Sequence, residues 1–249
     1  MTHPLFYAAH VAGVHARDVV DLDEPTSGHA IRSQRLRVDD PVLLSDGNGT
    51  LASGVIEIAD PRTTRIRVTG VSVQDPPSVR INLVQALAKG DRDLLAAEMA
   101  TELGVDTVTP WQAQRSIVRI RAERAEKMLA KWRSKLHAAA QQSRRAIIPQ
   151  LEEALVTTDV ARLHNAQDGQ HVMVLHEDGV TNIEQAVAQI SGAQTIHVVV
   201  GPEGGVAPEE LAAIENRGGI AVKIGDNVLR SSTAGPVAIT LLNQIFKRW

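Results

Sequence analysis

The sequence predicts an α/β protein, a mostly parallel sheet covered by helices, preceded by a small β-barrel. Three observations predict it. Beyond residue 78, short apolar β-rich runs alternate with helical patterns, which is how a parallel sheet covered on both faces is written. Before residue 75 the chain reads only as short strands, two of them joined through Asp46-Gly47-Asn48-Gly49, where positive φ is needed. Between these regions, Pro76 and Pro77 break strand pairing and stiffen the chain. Two domains follow, 1–75 and 76–249.

In order, "LFYAAH" is a first strand, "PVLLS" and "LASGVIEIA" flank the Asp-Gly-Asn-Gly turn, and "RIRVTGVSV" alternates as a half-buried strand does. After the prolines, "VRINLVQAL" is an apolar strand. "DRDLLAAEMATELG" is a helix, with Asp91 or Asp93 at its start and Gly104 as its stop. "VDTVTPW" is a strand. Residues 120–145 read as one long basic helix, with Ala125, Met128, Leu129, Trp132 and Leu136 on one face. "HVMVLHE", "TIHVVV" and "IAVKIG" are strands. "NIEQAVAQI" is a helix, and another begins at Pro208. The last helix, "TAGPVAITLLNQIF", is apolar nearly all round, so either the domain wraps it or a second subunit covers it.

Composition bounds the function. The chain has 249 residues, 43% hydrophobic and 22% charged, with only 2% aromatic, so its core is aliphatic. It has no cysteine, which excludes disulfides and thiolate-bound metals. No apolar run approaches the roughly 20 residues of a membrane helix, and the N-terminus lacks the basic start of a signal peptide. A cytoplasmic protein is expected, with no membrane partner. The histidines show no metal-ligand spacing, so no metal is expected.

The net charge of −3 hides an asymmetry. Residues 115–145 hold ten Lys or Arg against two Glu, a net of +8. Such a segment suits a polyanion, although a solvated helix face is the plainer reading. Arg32, Arg35, Arg37, Lys89, Arg92, Arg115, Arg144 and Arg145 are the candidate contacts to such a polyanion, an RNA among the possibilities.

Two loops are placed to bind a ligand at the carboxyl ends of strands. One is Gly201-Pro202-Glu203-Gly204-Gly205; the other runs from Gly225 to Arg230. No Lys-Ser/Thr follows the glycines, and G-x-G-x-x-G is missing, so neither a Walker loop nor a dinucleotide fingerprint is present. Glu203 would repel a pyrophosphate. A ligand that is neutral or cationic near the glycines is expected, and S-adenosylmethionine meets those demands; a tight turn with no ligand is the alternative. Glu203 either orients the cofactor or caps the helix beginning at Pro208.

"VVVGPEGGVAPEEL" followed by "KIGDNVLRSSTAGPVAI" resembles the RsmE family of ribosomal RNA methyltransferases, in the SPOUT class. The likeness extends through "AKGDRDLLAAEMATELGVDTVTPW", "AEKMLAKWRSKLHAAAQQSRR" and the N-terminal "HAIRSQRLRVDDPVLLSDGNG". It implies a PUA-like barrel, a C-terminal deep trefoil knot, a homodimer, and methylation of uridine N3 in 16S ribosomal RNA of the small subunit. It also implies a cofactor site of Leu175, His176, Gly201, Pro202, Glu203, Gly204, Gly205, Ile224, Gly225, Asp226, Asn227, Val228, Leu229, Arg230, Ser232, Thr233 and Ala234.

Two acids common in that family are absent, since Ser231-Ser232 stands for Thr-Glu and Gln141 for Glu. A uridine N3 must lose its proton before it attacks, and a cation stabilises the resulting anion. Arg230 is the candidate for that role, with Glu203 as the second candidate catalytic residue. A non-catalytic RNA-binding protein and a nicotinamide oxidoreductase are the alternative readings; the missing fingerprint counts against the latter.

Overall fold

The computed structural model describes residues 3–249; Met1 and Thr2, at the start of the expected N-terminal domain, lie outside it. The chain divides into two compact units. The first comprises the N-terminal residues through Pro76 together with Ala140–Ile148, and the second Pro77–Ala139 and Pro149–Trp249.

The first unit holds β1 (Leu5–Tyr7), β2 (Val19–Asp21), α1 (Glu24–Gly28), β3 (Pro41–Ser45), β4 (Thr50–Ile58) and β5 (Arg65–Val73). They form a mixed five-stranded sheet in the order β1-β3-β4-β5-β2, parallel only between β1 and β3. Alternate residues pack inward, among them Phe6, Val20, Leu44, Ile56 and Ile66. Gly47 (φ +77°) and Gly49 (φ +116°) take the left-handed turn positions between β3 and β4. That turn binds a later segment. Ile148 N–H donates to Gly47 O at 2.9 Å, Gly49 N–H to Ala146 O at 3.1 Å, and Ser45 Oγ to Ala146 O at 2.8 Å. Tyr7 donates its hydroxyl to Arg145 O at 2.7 Å, and burial pushes that hydroxyl up to about 12. Residues 140–148 therefore pack with the N-terminal unit, although the sequence boundary places them in the second. Their partners are far away in sequence, and no local pattern shows such bonds.

The second unit holds β6 (Arg80–Ala86), α2 (Arg92–Glu102), β7 (Thr107–Gln112), α3 (Ala122–Gln142), β8 (Gln150–Leu151), β9 (Leu155–Val156), β10 (Gln170–Leu175), α4 (Ile183–Gln189), β11 (Thr195–Val200), α5 (Pro208–Glu215), β12 (Ile220–Val222) and α6 (Ser231–Ile245). The last turn of α3 belongs to the first unit. The sheet order is β12-β10-β11-β6-β7-β8, with β9 also on β7, and every pair is parallel. The central strands are buried on both faces, so β6 and β11 read as near-continuous apolar runs.

The helix expected over residues 120–145 is shorter, Ala122–Gln142, and buries Trp132 and Leu136. Asp91 stands at the N-cap of α2, but with φ +56° its side chain makes no cap; it pairs with Lys131 at 2.7 Å instead. α4 begins with the reciprocal Asn182–Gln185 capping box. α6 packs on β6, β11 and α2, burying Gly235, Ala238, Ile239 and Leu242. Its other side leaves Val237 and Leu241 exposed, so this unit wraps the helix only in part.

Candidate functional site

Because β10, β11 and β12 run parallel, their carboxyl ends, Leu175, Val200 and Val222, meet at one edge of the sheet. A cleft of about 780 Å³ opens there, lined by all three. That is the usual place for a ligand in an open α/β sheet, and the volume falls within the ~300–1,000 Å³ of small-molecule sites.

Two turns and a helix start form its walls. After β11, Gly205 N–H closes a turn on Pro202 O at 2.9 Å, with Gly205 at φ +75°. A Cβ on Gly201 would fall 2.9 Å from Val206 Cγ2, so the chain folds back on itself more closely than a side chain permits. After β12, Ile224–Arg230 forms the second wall. Gly225 turns there at φ +116°. α6 then begins with Arg230 at its N-cap position.

Polar groups in the cleft differ in how far they are already engaged. Glu203 accepts from Lys89 N–H at 3.2 Å and lies 3.6 Å from Arg92 Nη1. Arg115 donates to Gly204 O at 3.0 Å. Lys223 stands 4.0 Å from Asp226. Arg230 is exposed, and its guanidinium has no partner among the described residues. Ser231 Oγ is buried and makes no hydrogen bond there either. His176 is tied by its backbone to Val222 O at 3.0 Å, and its Nδ1 accepts from Asp178 N–H.

Of the residues expected at the cofactor site, the cleft gathers Leu175, His176, Gly201–Gly205, Ile224–Arg230 and Ala234. Ser232 and Thr233 do not line it. Ser232 is buried in the first turn of α6, and Thr233 Oγ1 donates back to Arg230 O at 3.1 Å. Glu203 does not cap α5. Glu210 does, with Oε2 accepting from Ala207 N–H at 3.1 Å.

Of the expected RNA contacts, Arg92 and Arg115 line the cleft, and Lys89 is exposed beside Glu203 in sequence-distant contact through its backbone. Arg32, Arg35, Arg37 and Arg144 are exposed in the first unit, and Arg145 is half-buried there. Ion pairs occupy part of the basic segment: Arg133 with Glu126 at 2.7 Å and Lys135 with Glu98 at 3.0 Å, besides Lys131 with Asp91. Sequence reasoning missed Glu177, Asp178, Lys223 and Ser231 as cleft residues, and it missed Glu210. An acid three places after the N-cap position, beyond a glycine turn, was the available signal for Glu210.

Among the described residues no helix is long and apolar enough to cross a membrane, and no cluster of His and acids is placed to hold a metal.

A family model described as an RNA methyltransferase domain matches residues 75–243. Ribosomal RNA small subunit methyltransferase E of Mycobacterium bovis is 39% identical over 251 residues, covering all of this chain and 94% of that one. The protein of the same name from Bacillus subtilis is 22% identical over 221 residues, covering 86% of each. Among solved structures, ribosomal RNA small subunit methyltransferase E from Neisseria gonorrhoeae, bound to S-adenosylmethionine, superposes with a TM-score of 0.84 at 24% identity over 98% of both chains. A Legionella pneumophila methyltransferase with bound S-adenosylmethionine gives 0.83 at 22%, again over 98% of both. Those two likenesses bear on the fold.

Proposed function

The chain belongs to the RNA methyltransferase family of ribosomal RNA small subunit methyltransferase E, and on that premise we propose that it methylates N3 of a uridine in 16S ribosomal RNA, using S-adenosylmethionine. The observation that carries the chemistry is Arg230, a cation in the cleft with no partner among the described residues, while Arg92, Arg115 and Lys223 are engaged.

The cleft fits the cofactor. Its glycine turn allows close backbone approach, and the Ser231 hydroxyl is buried without a partner among the described residues, as a group kept for a ligand would be. Leu175, His176, Gly201–Gly205 and Ile224–Arg230 would hold it, and when bound it supplies an electrophilic methyl group on a sulfonium sulfur. Glu203 is turned toward Lys89 and Arg92, so its first task is to hold the glycine turn against the chain that follows β6.

The chain's own contribution lies at the acceptor. Uridine N3 carries a proton and is a weak nucleophile until the proton leaves. Arg230 then stabilises the negative charge spread onto the neighbouring carbonyl oxygens, and so favours the anion. Ser231 and Ser232 are poor bases at neutral pH, so the proton passes to water or to a phosphate rather than to either hydroxyl. Orientation supplies the rest, since holding acceptor and methyl at near-attack distance removes much of the barrier.

The finer architecture follows on the same premise. The five-stranded unit serves as a PUA-like RNA-binding barrel, and the segment from β12 through α6 threads a deep trefoil knot. Two copies associate through the apolar side of α6, where Val237 and Leu241 are exposed and Leu95 is exposed on the adjoining α2. Such an enzyme works in the cytoplasm, on the small ribosomal subunit or its RNA.

Purified protein, cofactor and small-subunit RNA lacking the modification test the reading, with nucleoside analysis of the product. N3-methyluridine is expected. Methyl on carbon 5 or on the ribose would contradict the assignment.

A further inference from the structure

We propose that Glu210 is a positioning residue that holds Arg115 at the rim of the cleft and thereby sets the affinity for RNA; this rests on the methyltransferase reading above. Glu210 is wholly buried. One oxygen caps its own helix, accepting from Ala207 N–H at 3.1 Å. The other leaves the helix and accepts from Gln114 N–H at 2.7 Å, on the segment that follows β7. Capping alone needs only the first bond.

The next residue is Arg115, whose guanidinium donates to Gly204 O at 3.0 Å. Gln114 and Arg115 thus fasten one segment to the glycine turn and to the helix that follows it, the helix through a buried acid and the turn through an exposed cation. The segment is stiffened further on. Arg119 donates to Gln114 O at 2.7 Å, and Gln112 Oε1 accepts from Ile120 N–H at 2.6 Å. One Arg115–Gly204 bond leaves most of the guanidinium's five donors free, on the exposed side of the cleft. That is where the phosphates of a bound RNA strand would be met, and a pre-oriented Arg loses less freedom on meeting them. Without the Gln114 bond, Arg115 loses its fixed anchor.

The test is a double-mutant cycle on the whole 249-residue chain, read in three ways: RNA affinity, cofactor affinity by calorimetry, and single-turnover rate. Glu210→Gln cannot accept from both N–H groups. Glu210→Asp keeps a first-turn acid but is too short to span to Gln114, and it serves if the Gln variant does not fold. Either change is expected to weaken RNA binding roughly tenfold, as loss of one hydrogen bond to a charged group does. Cofactor affinity should move less than about threefold. Arg115→Ala should weaken RNA binding to a similar degree, and adding it to a Glu210 variant should cost little more than either change alone. Fully additive losses, or lost cofactor affinity with RNA binding intact, would overturn the proposal. A wild-type protein that transfers no methyl group would defeat the functional reading instead, and the binding cycle would still decide the role of Glu210.

Discussion

Ser231 is a buried hydroxyl with no partner among the described residues, at the edge of a cleft. In a protein without a ligand that is a cost, because a desolvated polar group loses its water and gains nothing. Ser231→Ala should therefore leave the melting temperature unchanged or slightly higher, while cofactor binding weakens roughly tenfold. Calorimetry beside a melting curve checks both. A lower melting temperature with unaltered cofactor affinity would assign the hydroxyl to the fold. Residue by residue, much of the cleft was legible, because the glycines and Ile224–Arg230 sit directly after apolar strands. Glu210 was not. As a letter in "PEEL" it is one more first-turn acid, and its second partner, Gln114, is on another element. Arg92 and Arg115 were read by charge alone, and charge does not tell an RNA contact from a cleft wall.

At the scale of elements, the sheet carries a polar chain across four strands. Thr109 on β7 donates to Asn82 Oδ1 on β6 at 3.1 Å, Asn82 Nδ2 meets His197 Nδ1 on β11 at 2.9 Å, and His197 Nε2 meets Gln170 on β10 at 3.0 Å. The Asn82 amide donates, so Nδ1 is the acceptor and His197 is held neutral. His164 and His171, whose rings meet edge to face, lie close enough to disfavour another positive charge. Burial first, and then these neighbours, push His197 down from 6.5 to about 4.

The unfolded chain therefore binds a proton that the folded one refuses between those values. Stability should be full above pH 6.5 and fall as the pH drops toward 4, by about 3 kcal/mol from this group. Denaturant titrations across that range should show the loss, and a His197→Gln variant should show less of it. An unchanged slope in the variant would acquit His197. These histidines looked scattered in the sequence, since only strand pairing brings positions 164, 171 and 197 together. α6 offers a second check. A Cβ on Gly235 would fall 2.7 Å from Leu83 Cδ1 and 3.3 Å from Val200 Cγ2. Gly235→Val should cost roughly 1–3 kcal/mol through overpacking, measurable in the same titrations. Unchanged stability in that variant would show that Leu83 and Val200 yield to the added side chain.

The molecule as a whole joins two units whose division could only partly be read. Pro76 and Pro77 were legible as punctuation. Residues 140–148 were not, because α3 runs through the division without any break in its pattern. That return places Arg144 and Arg145 in the same unit as Arg32, Arg35 and Arg37. RNA affinity should fall steeply with salt, with a log–log slope of about 0.7–0.9 per phosphate contact. Arg144→Glu with Arg37→Glu should flatten that slope and spare cofactor binding; a slope unaltered by both would remove this unit from the RNA footprint.

Whether Arg230 stabilises the anionic base during methylation of uridine N3 is decided by single-turnover methylation across a range of pH with wild type and Arg230→Ala. The wild-type rate should rise with pH until the base is ionised, and the variant should be slower by roughly two to three orders of magnitude at neutral pH. The variant should recover part of its loss as the pH rises, with its cofactor affinity changed far less than its rate. Equal rates in the two proteins, or a deficit that is the same at every pH, would contradict that role for Arg230.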